Sequence, residues 1–151
     1  MNRKDKRSVR QWVGIWVLIV VLGPACQSLP TFPSTVQPED RIPLRYPNGG
    51  EGVADTGDVT LEYRYSVAGD ADSRTLQVRG AVRHVIFSAD AVSIQLLFLA
   101  DDGRVIDRKA VYYSGYKTRH GGGRFDRSFS VPDGTAALAF SSSVQMSRGH
   151  R

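Results

Sequence analysis

Val59-Thr60-Leu61-Glu62-Tyr63-Arg64-Tyr65-Ser66-Val67 decides the fold. Apolar and aromatic residues stand at every second position, with Thr60, Glu62, Arg64 and Ser66 between them. A period of two puts one side of an extended chain in a core and the other in water, so this is a half-buried β-strand. Downstream, Gly69-Asp70-Ala71-Asp72 reads as a turn. Leu76, Val78, Gly80 and Val82 then alternate with Gln77, Arg79 and Arg83 as a second strand. Ala91 to Ala100 is apolar on both faces, interrupted by Ser93 and Gln95, and suits the most buried strand. Asp101-Asp102-Gly103 follows, and aspartate-glycine tolerates the positive φ of tight hairpins. Val105 to Tyr113 returns as the partner strand, and Ser114 to Gly123 is a glycine-rich loop. Phe125, Phe129 and Val131 alternate with Asp126, Ser128 and Ser130 before the turn Pro132-Asp133-Gly134. Ala136 to Met146 is the last strand, with Leu138, Phe140 and Val144 inward. No segment after Cys26 keeps helical periodicity over three turns. The expectation is an all-β domain at 58–146: an antiparallel Ig-like β-sandwich of about six or seven strands, with a small β-barrel as the alternative.

Two pieces of the domain, Arg79-Gly80-Ala81-Val82 and Asp101-Asp102-Gly103-Arg104-Val105, resemble the strand end and hairpin of FxLYD and related Ig-like modules of bacterial surface proteins. The Phe-x-Leu-Tyr-Asp run that defines that family is absent, and Leu97-Phe98-Leu99-Ala100-Asp101 is a distant echo of it. The resemblance implies a sandwich fold and no particular activity.

Upstream the character of the chain changes. Residues 27–57 hold Pro30, Pro33, Pro38, Pro43 and Pro47 with Gly49, Gly50 and Gly52. Proline removes backbone donors and fixes φ, so this stretch reads as an extended tether, with Ile42 to Tyr46 as a short edge strand at most. Ahead of it, Trp12 to Leu22 is an uncharged apolar run behind a basic segment bearing Arg3, Lys4, Lys6, Arg7 and Arg10. A membrane-crossing helix needs roughly 20 apolar residues, whereas a signal-peptide core needs roughly 7–15. Residues 1–25 are therefore expected to be a signal peptide. Leu22-Gly23-Pro24-Ala25-Cys26 resembles the bacterial lipoprotein box, with Gly23 and Pro24 departing from its usual pattern. The resemblance implies cleavage before Cys26 and acylation of its sulfur. Residues 26–57 would then be a lipidated N-terminus and tether, and the lipid bilayer a partner. Two or more acyl chains give stable attachment where one does not. Gln27 is not the aspartate that often signals inner-membrane retention in that family. The resemblance thus points to the cell envelope, on the periplasmic side of the outer membrane rather than the inner membrane. Residues 147–151 are expected to be a disordered tail.

Charge and cysteine usage narrow the chemistry. The net charge is +5, and the sequence pI is near 9.7. Removing residues 1–25 takes 5 of 20 basic and 1 of 15 acidic groups, leaving 15 against 14. The basicity is thus mostly targeting information, and nucleic acid is not the expected partner. A single cysteine excludes an internal disulfide and a thiolate zinc site. His84, His120 and His150 have no metal-ligand spacing, and no cofactor is expected. His120-Gly121-Gly122-Gly123 resembles the oxyanion loop of some lipases, but no Gly-x-Ser-x-Gly elbow accompanies it. Asp101, Asp102 and Asp107 match no calcium loop, and Ser141-Ser142-Ser143 reads as strand surface.

One regional feature remains. Arg104, Arg108, Lys109, Lys117, Arg119, Arg124 and Arg127 face only Asp107 and Asp126, with Tyr112, Tyr113 and Tyr116 between them. Such a patch could meet lipid headgroups, an anionic envelope polymer or an acidic protein, and a solvated strand face is the plainer reading. The expected function is a non-catalytic, membrane-anchored interaction or assembly module that binds another envelope protein or an anionic envelope polymer. Its rivals are an envelope hydrolase or carbohydrate-acting enzyme with dispersed loop residues, and a small-ligand carrier.

Overall fold

The computed structural model describes residues 34–57, 59–70, 73–84, 89–115 and 122–146. A 3-10 turn at Pro38–Asp40 is followed by eight strands: β1 Ile42–Pro43, β2 Gly50–Asp55, β3 Val59–Ala68, β4 Thr75–His84, β5 Ala89–Leu99, β6 Val105–Tyr113, β7 Gly123–Ser130 and β8 Ala137–Met146. They form two four-stranded antiparallel sheets, ordered β1-β8-β5-β6 and β2-β3-β4-β7. The sheets pack as a sandwich and do not close into the alternative barrel.

The alternation that marks β3 also places it. Val59, Leu61, Tyr65 and Val67 are buried, while Glu62, Arg64 and Ser66 are exposed. Leu76, Val78 and Val82 of β4 and Phe125 of β7 complete the inner face of this sheet. Val92, Ile94, Leu96 and Phe98 of β5 meet them from the other side, with Val111 and Leu138. Phe98, Leu61 and Leu76 are fully buried, and side chains of this size contribute about 1.5–3 kcal/mol each on burial. In β6, Tyr112 pairs with Ile94 and Ala110 with Gln95, so Val111 is the extra residue of a bulge and enters the core.

The two-faced apolarity of β5 has a separate cause. Leu97 and Leu99 point to the outer face, where they cluster with Ala137, Ala139 and Val36. Val36 belongs to a strap, residues 34–41, that crosses this outer face. The described part of the expected tether, 34–57, is thus built into the sandwich. Val36 N–H donates to the Gly103 carbonyl at 3.0 Å, and Val105 N–H donates to the Ser34 carbonyl at 3.0 Å. Arg41 fastens the strap further. Its Nε and Nη2 donate to the Val36 carbonyl at 3.0 and 2.8 Å, and its guanidinium reaches the Asp101 and Asp102 carbonyls at 3.3 and 3.0 Å. Gly103 adopts φ +86° in the β5–β6 turn, and a Cβ there would lie 2.1 Å from Arg41 Nη2.

Strand β2 was hidden by its glycines. Gly50 and Gly52 pair with Tyr65 and Tyr63, and each tyrosine ring lies over the glycine opposite it. The rings supply the apolar surface that β2 lacks, as aromatic residues do across from glycines in other sheets. The expected tail 147–151 and the expected signal peptide 1–25 lie outside the described residues.

Candidate interaction site

The sandwich has two open sides. On one, β6 and β7 are the outer strands of their sheets; on the other, β2 faces the edge of β8. The second side carries the principal groove, about 920 Å³, bounded by the strap and β1, by β2, and by Phe140 to Ser142 of β8.

Its construction follows from where β1 stops. Ile42 and Pro43 pair with Leu138 and Ala137, and Leu44 N–H donates to the Ala136 carbonyl at 3.0 Å. Continued upstream, β1 would run along Ala139 and Phe140, but the Pro38–Asp40 turn diverts the chain onto the outer face. Among the described residues, no strand pairs with the outer edge of β8 beyond Leu138.

The groove floor is aromatic. Tyr63 and Phe140 lie with ring centroids 5.2 Å apart at 46°. Burial, and after it the neighbouring Tyr65, pushes the Tyr63 phenol above its ordinary value, so it remains neutral at any physiological pH. Tyr65 Oη donates to the Pro43 carbonyl at 2.6 Å and accepts from Arg45 N–H at 3.1 Å, tying β1 to the opposite sheet. At the far end Thr56 Oγ1 donates to Ser142 Oγ at 2.8 Å. This hydroxyl pair joins the β2–β3 turn to a side chain of β8 and leaves the backbone edge uncovered. What the arrangement can offer is an extended run of backbone donors and acceptors beside an aromatic floor.

Apart from Ser141 and Ser142, which line the groove, the residues singled out from the sequence fall elsewhere. Cys26, Lys117, Arg119, His120 and His150 lie outside the described residues. Arg104 sits at the end of the β5–β6 turn. Arg108 stands opposite Leu97, on the outer face of its sheet. Arg124 stands opposite Ala81, on the outer face of the other sheet. Lys109 and Arg127 occupy positions opposite Leu96 and Val78, on the β6–β7 side of the sandwich. The five described members of the basic stretch therefore do not share one face. Lys109 bridges Asp107 at 2.8 Å, and this hydrogen bond, helped by Arg108 N–H, holds the Asp107 carboxyl below its usual range. Asp102 accepts from Arg104 N–H at 2.9 Å, the role of a turn residue.

His84 closes β4 in the interior, only 7% exposed, and neither ring nitrogen has a hydrogen-bond partner. Among the described residues, no group of three or more His, Cys, Asp or Glu side chains could hold a metal ion. Among the same residues, no helix is long and apolar enough to cross a membrane. The groove itself escaped sequence reading, because it arises where three distant segments meet. The only cue was the Pro38–Pro43 interval, which limits β1.

No protein-family model matches the chain, and no curated protein matches it. Its architecture is that of an all-β sandwich. Among solved structures, it is similar to the crystal structure of a DUF1425 family member from Shewanella sp. pv-4. That likeness covers 71% of this chain and 96% of the other at 14% identity, with a TM-score of 0.32. At such values the likeness carries no argument about function.

Proposed function

We propose that this protein is a lipid-anchored interaction module of the bacterial cell envelope, binding through the groove beside β8 and performing no catalysis. The observation that carries the binding role is the uncovered edge of β8 at the groove. Unpaired N–H and C=O groups on a strand edge are a template for another strand, and pairing of this kind is a recurrent mode of protein recognition. The anchoring role rests on the resemblance at Leu22–Cys26. In this reading acylated Cys26 holds the sandwich at the membrane surface, and the partner is an envelope protein. Intact and N-terminal mass of the membrane-extracted protein, beside a Cys26→Ser variant, tests the anchor. Support is a mature N-terminus at acylated Cys26 that the variant lacks; an unmodified Cys26 with residues 1–25 attached refutes it. For the binding role, a photoreactive residue at position 141 should give a defined adduct in intact membranes. The same label at Ser66, exposed on the opposite sheet, should give none. Equal labelling from both positions would refute a role for the β8 edge.

A further inference from the structure

Among the described residues the sandwich has four outer strand edges, and three of them are guarded. The β2 edge is short and carries Glu51 and Asp55; β6 carries Asp107, Arg108 and Lys109; β7 carries Arg124, Asp126 and Arg127. Charges of this kind are how native sheets resist edge-to-edge pairing. Strand β8, Ala-Leu-Ala-Phe-Ser-Ser-Ser-Val-Gln-Met over 137–146, has neither charge nor proline. Its first two positions are covered by β1, and among the described residues no strand covers its outer edge from Ala139 onward.

The order of residues along that edge is the second observation. Around Ser142 the strand reads nearly the same in both directions. Leu138, Phe140, Val144 and Met146 share one face with Ser142 at its centre, and Ala139, Ser141, Ser143 and Gln145 share the other. A two-fold axis through an antiparallel strand pair sets each position against its mirror position in the second copy, and about Ser142 every such pair joins uncharged residues of the same face.

We propose that the occupant of the β8 edge is a second copy of this chain, paired antiparallel through Ala139–Gln145 about a two-fold axis at Ser142. Phe140 then faces Val144 of the second copy, Ser141 faces Ser143, Ala139 faces Gln145, and Ser142 faces itself. This is the register that fits the edge. Pairing ends at Ala139 because β1 holds Leu138, and symmetry ends it at Gln145 on the other side. The electrostatics agree. No charge lies at any paired position, so like residues meet without repulsion, whereas self-pairing of β6 or β7 would bring their charged side chains together. The two sheets containing β8 become one continuous sheet. Met146, 57% exposed in the single chain, comes to the end of the pairing beside the second copy's β1. A pairing of this length is a small interface, so the dimer is weak in solution and is favoured when both copies are held on one membrane. The proposal rests on reading the β8 edge as the binding site.

The test is sedimentation of the full chain in detergent from micromolar to millimolar concentration, beside the double variant Ser141→Lys, Ser143→Lys. The expected result is a concentration-dependent monomer–dimer equilibrium whose dissociation constant the lysines raise roughly tenfold or more, since they place like charges opposite one another twice. Thermal unfolding of both proteins at low concentration checks that the single domain is intact. Register is read separately in a Cys26→Ser background, which is independent of anchoring. Directly opposite residues have Cα atoms about 4.5–5.5 Å apart, within disulfide reach. A mixture of the Ser141→Cys and Ser143→Cys chains should therefore cross-link readily, and either chain alone poorly. A monomer at every concentration, an association that the lysines leave unchanged, or equal cross-linking by each chain alone overturns the proposal. A position-141 adduct with a different envelope protein, and none with a second copy, overturns self-pairing while leaving the binding role of the edge in place.

Discussion

Removing the Arg41 side chain should release the strap without unfolding the sandwich. The guanidinium makes hydrogen bonds to three carbonyls, and they differ in value. Those to Asp101 and Asp102 are exposed, so water replaces them at little cost. The pair to the Val36 carbonyl is partly buried, at 2.8 and 3.0 Å, and a hydrogen bond involving a charged group contributes about 1.5–3 kcal/mol. Val36 buries its side chain beneath the same segment, and that burial survives in Arg41→Ala only while the strap stays closed. The local opening free energy should fall by about 1.5–3 kcal/mol, which raises amide exchange at Val36 and Val105 roughly 10- to 150-fold. Both amides report strap closure, since they donate to Gly103 and Ser34. Exchange at Leu96 and Phe98, in the fully buried centre of β5, should change far less. Hydrogen exchange read by NMR distinguishes the two classes. Equal acceleration everywhere would mean that Arg41 stabilises the whole domain, and no acceleration at Val36 would mean that its hydrogen bonds are replaced by water without loss. Either result refutes the reasoning.

Gly103→Ala should destabilise by about 1–3 kcal/mol in chemical denaturation, because φ is +86° and the new Cβ meets the Arg41 guanidinium. Combining it with Arg41→Ala should cost less than the sum of the two, since the clash disappears and only backbone strain remains; additive costs would show that the guanidinium already moves aside. His84→Leu should be neutral or stabilise by about 1 kcal/mol, because it replaces a buried imidazole whose two nitrogens lack partners with an apolar side chain; a clear loss of stability in a thermal melt would show that the ring is packed too specifically to exchange. Asp107→Asn should flatten the acid limb of the stability curve. A carboxyl held below its usual range contributes stability that is present above the unfolded value of about 3.9 and disappears as pH falls through the folded value. With its side chain and that of Lys109 36% and 42% exposed, the effect after solvent screening should stay below about 0.5 kcal/mol, and a larger one would mark a stronger coupling than the bridge explains.

The parts of this fold that were legible in the sequence are those where burial alone decides structure. Strands β3 and β4 alternate because one face of each lies in the core, and the limits read for β6, Val105 to Tyr113, are those observed. Where two segments share the work of one, the single chain misleads. Gly50 and Gly52 look like loop residues because their apolar surface is supplied by Tyr65 and Tyr63 on the neighbouring strand. Pro38 and Pro43 suggest a tether, yet one begins the 3-10 turn and the other lies in a two-residue strand that needs few backbone donors. Leu97 and Leu99 showed that β5 is covered on both faces but could not show that Val36, some sixty residues earlier, supplies the cover.

The basic stretch and the β8 edge show the same limit from opposite directions. Arg104 to Arg127 forms a cluster along the chain, but a strand sends adjacent positions to opposite faces and β6 and β7 belong to different sheets, so Arg108 and Arg124 end far apart in orientation. Ser141-Ser142-Ser143 looked inert because nothing in a serine run names a partner. The role proposed for it comes from position: β8 leads back to the side of the sandwich where β1 has already stopped, and β1 stops because Pro38 turns the strap away. Charge density along a sequence is therefore a poor guide to a binding face in this architecture. Among the described residues, the outer strands β2, β6 and β7 carry charges that pairing would have to bury, and β8 carries none.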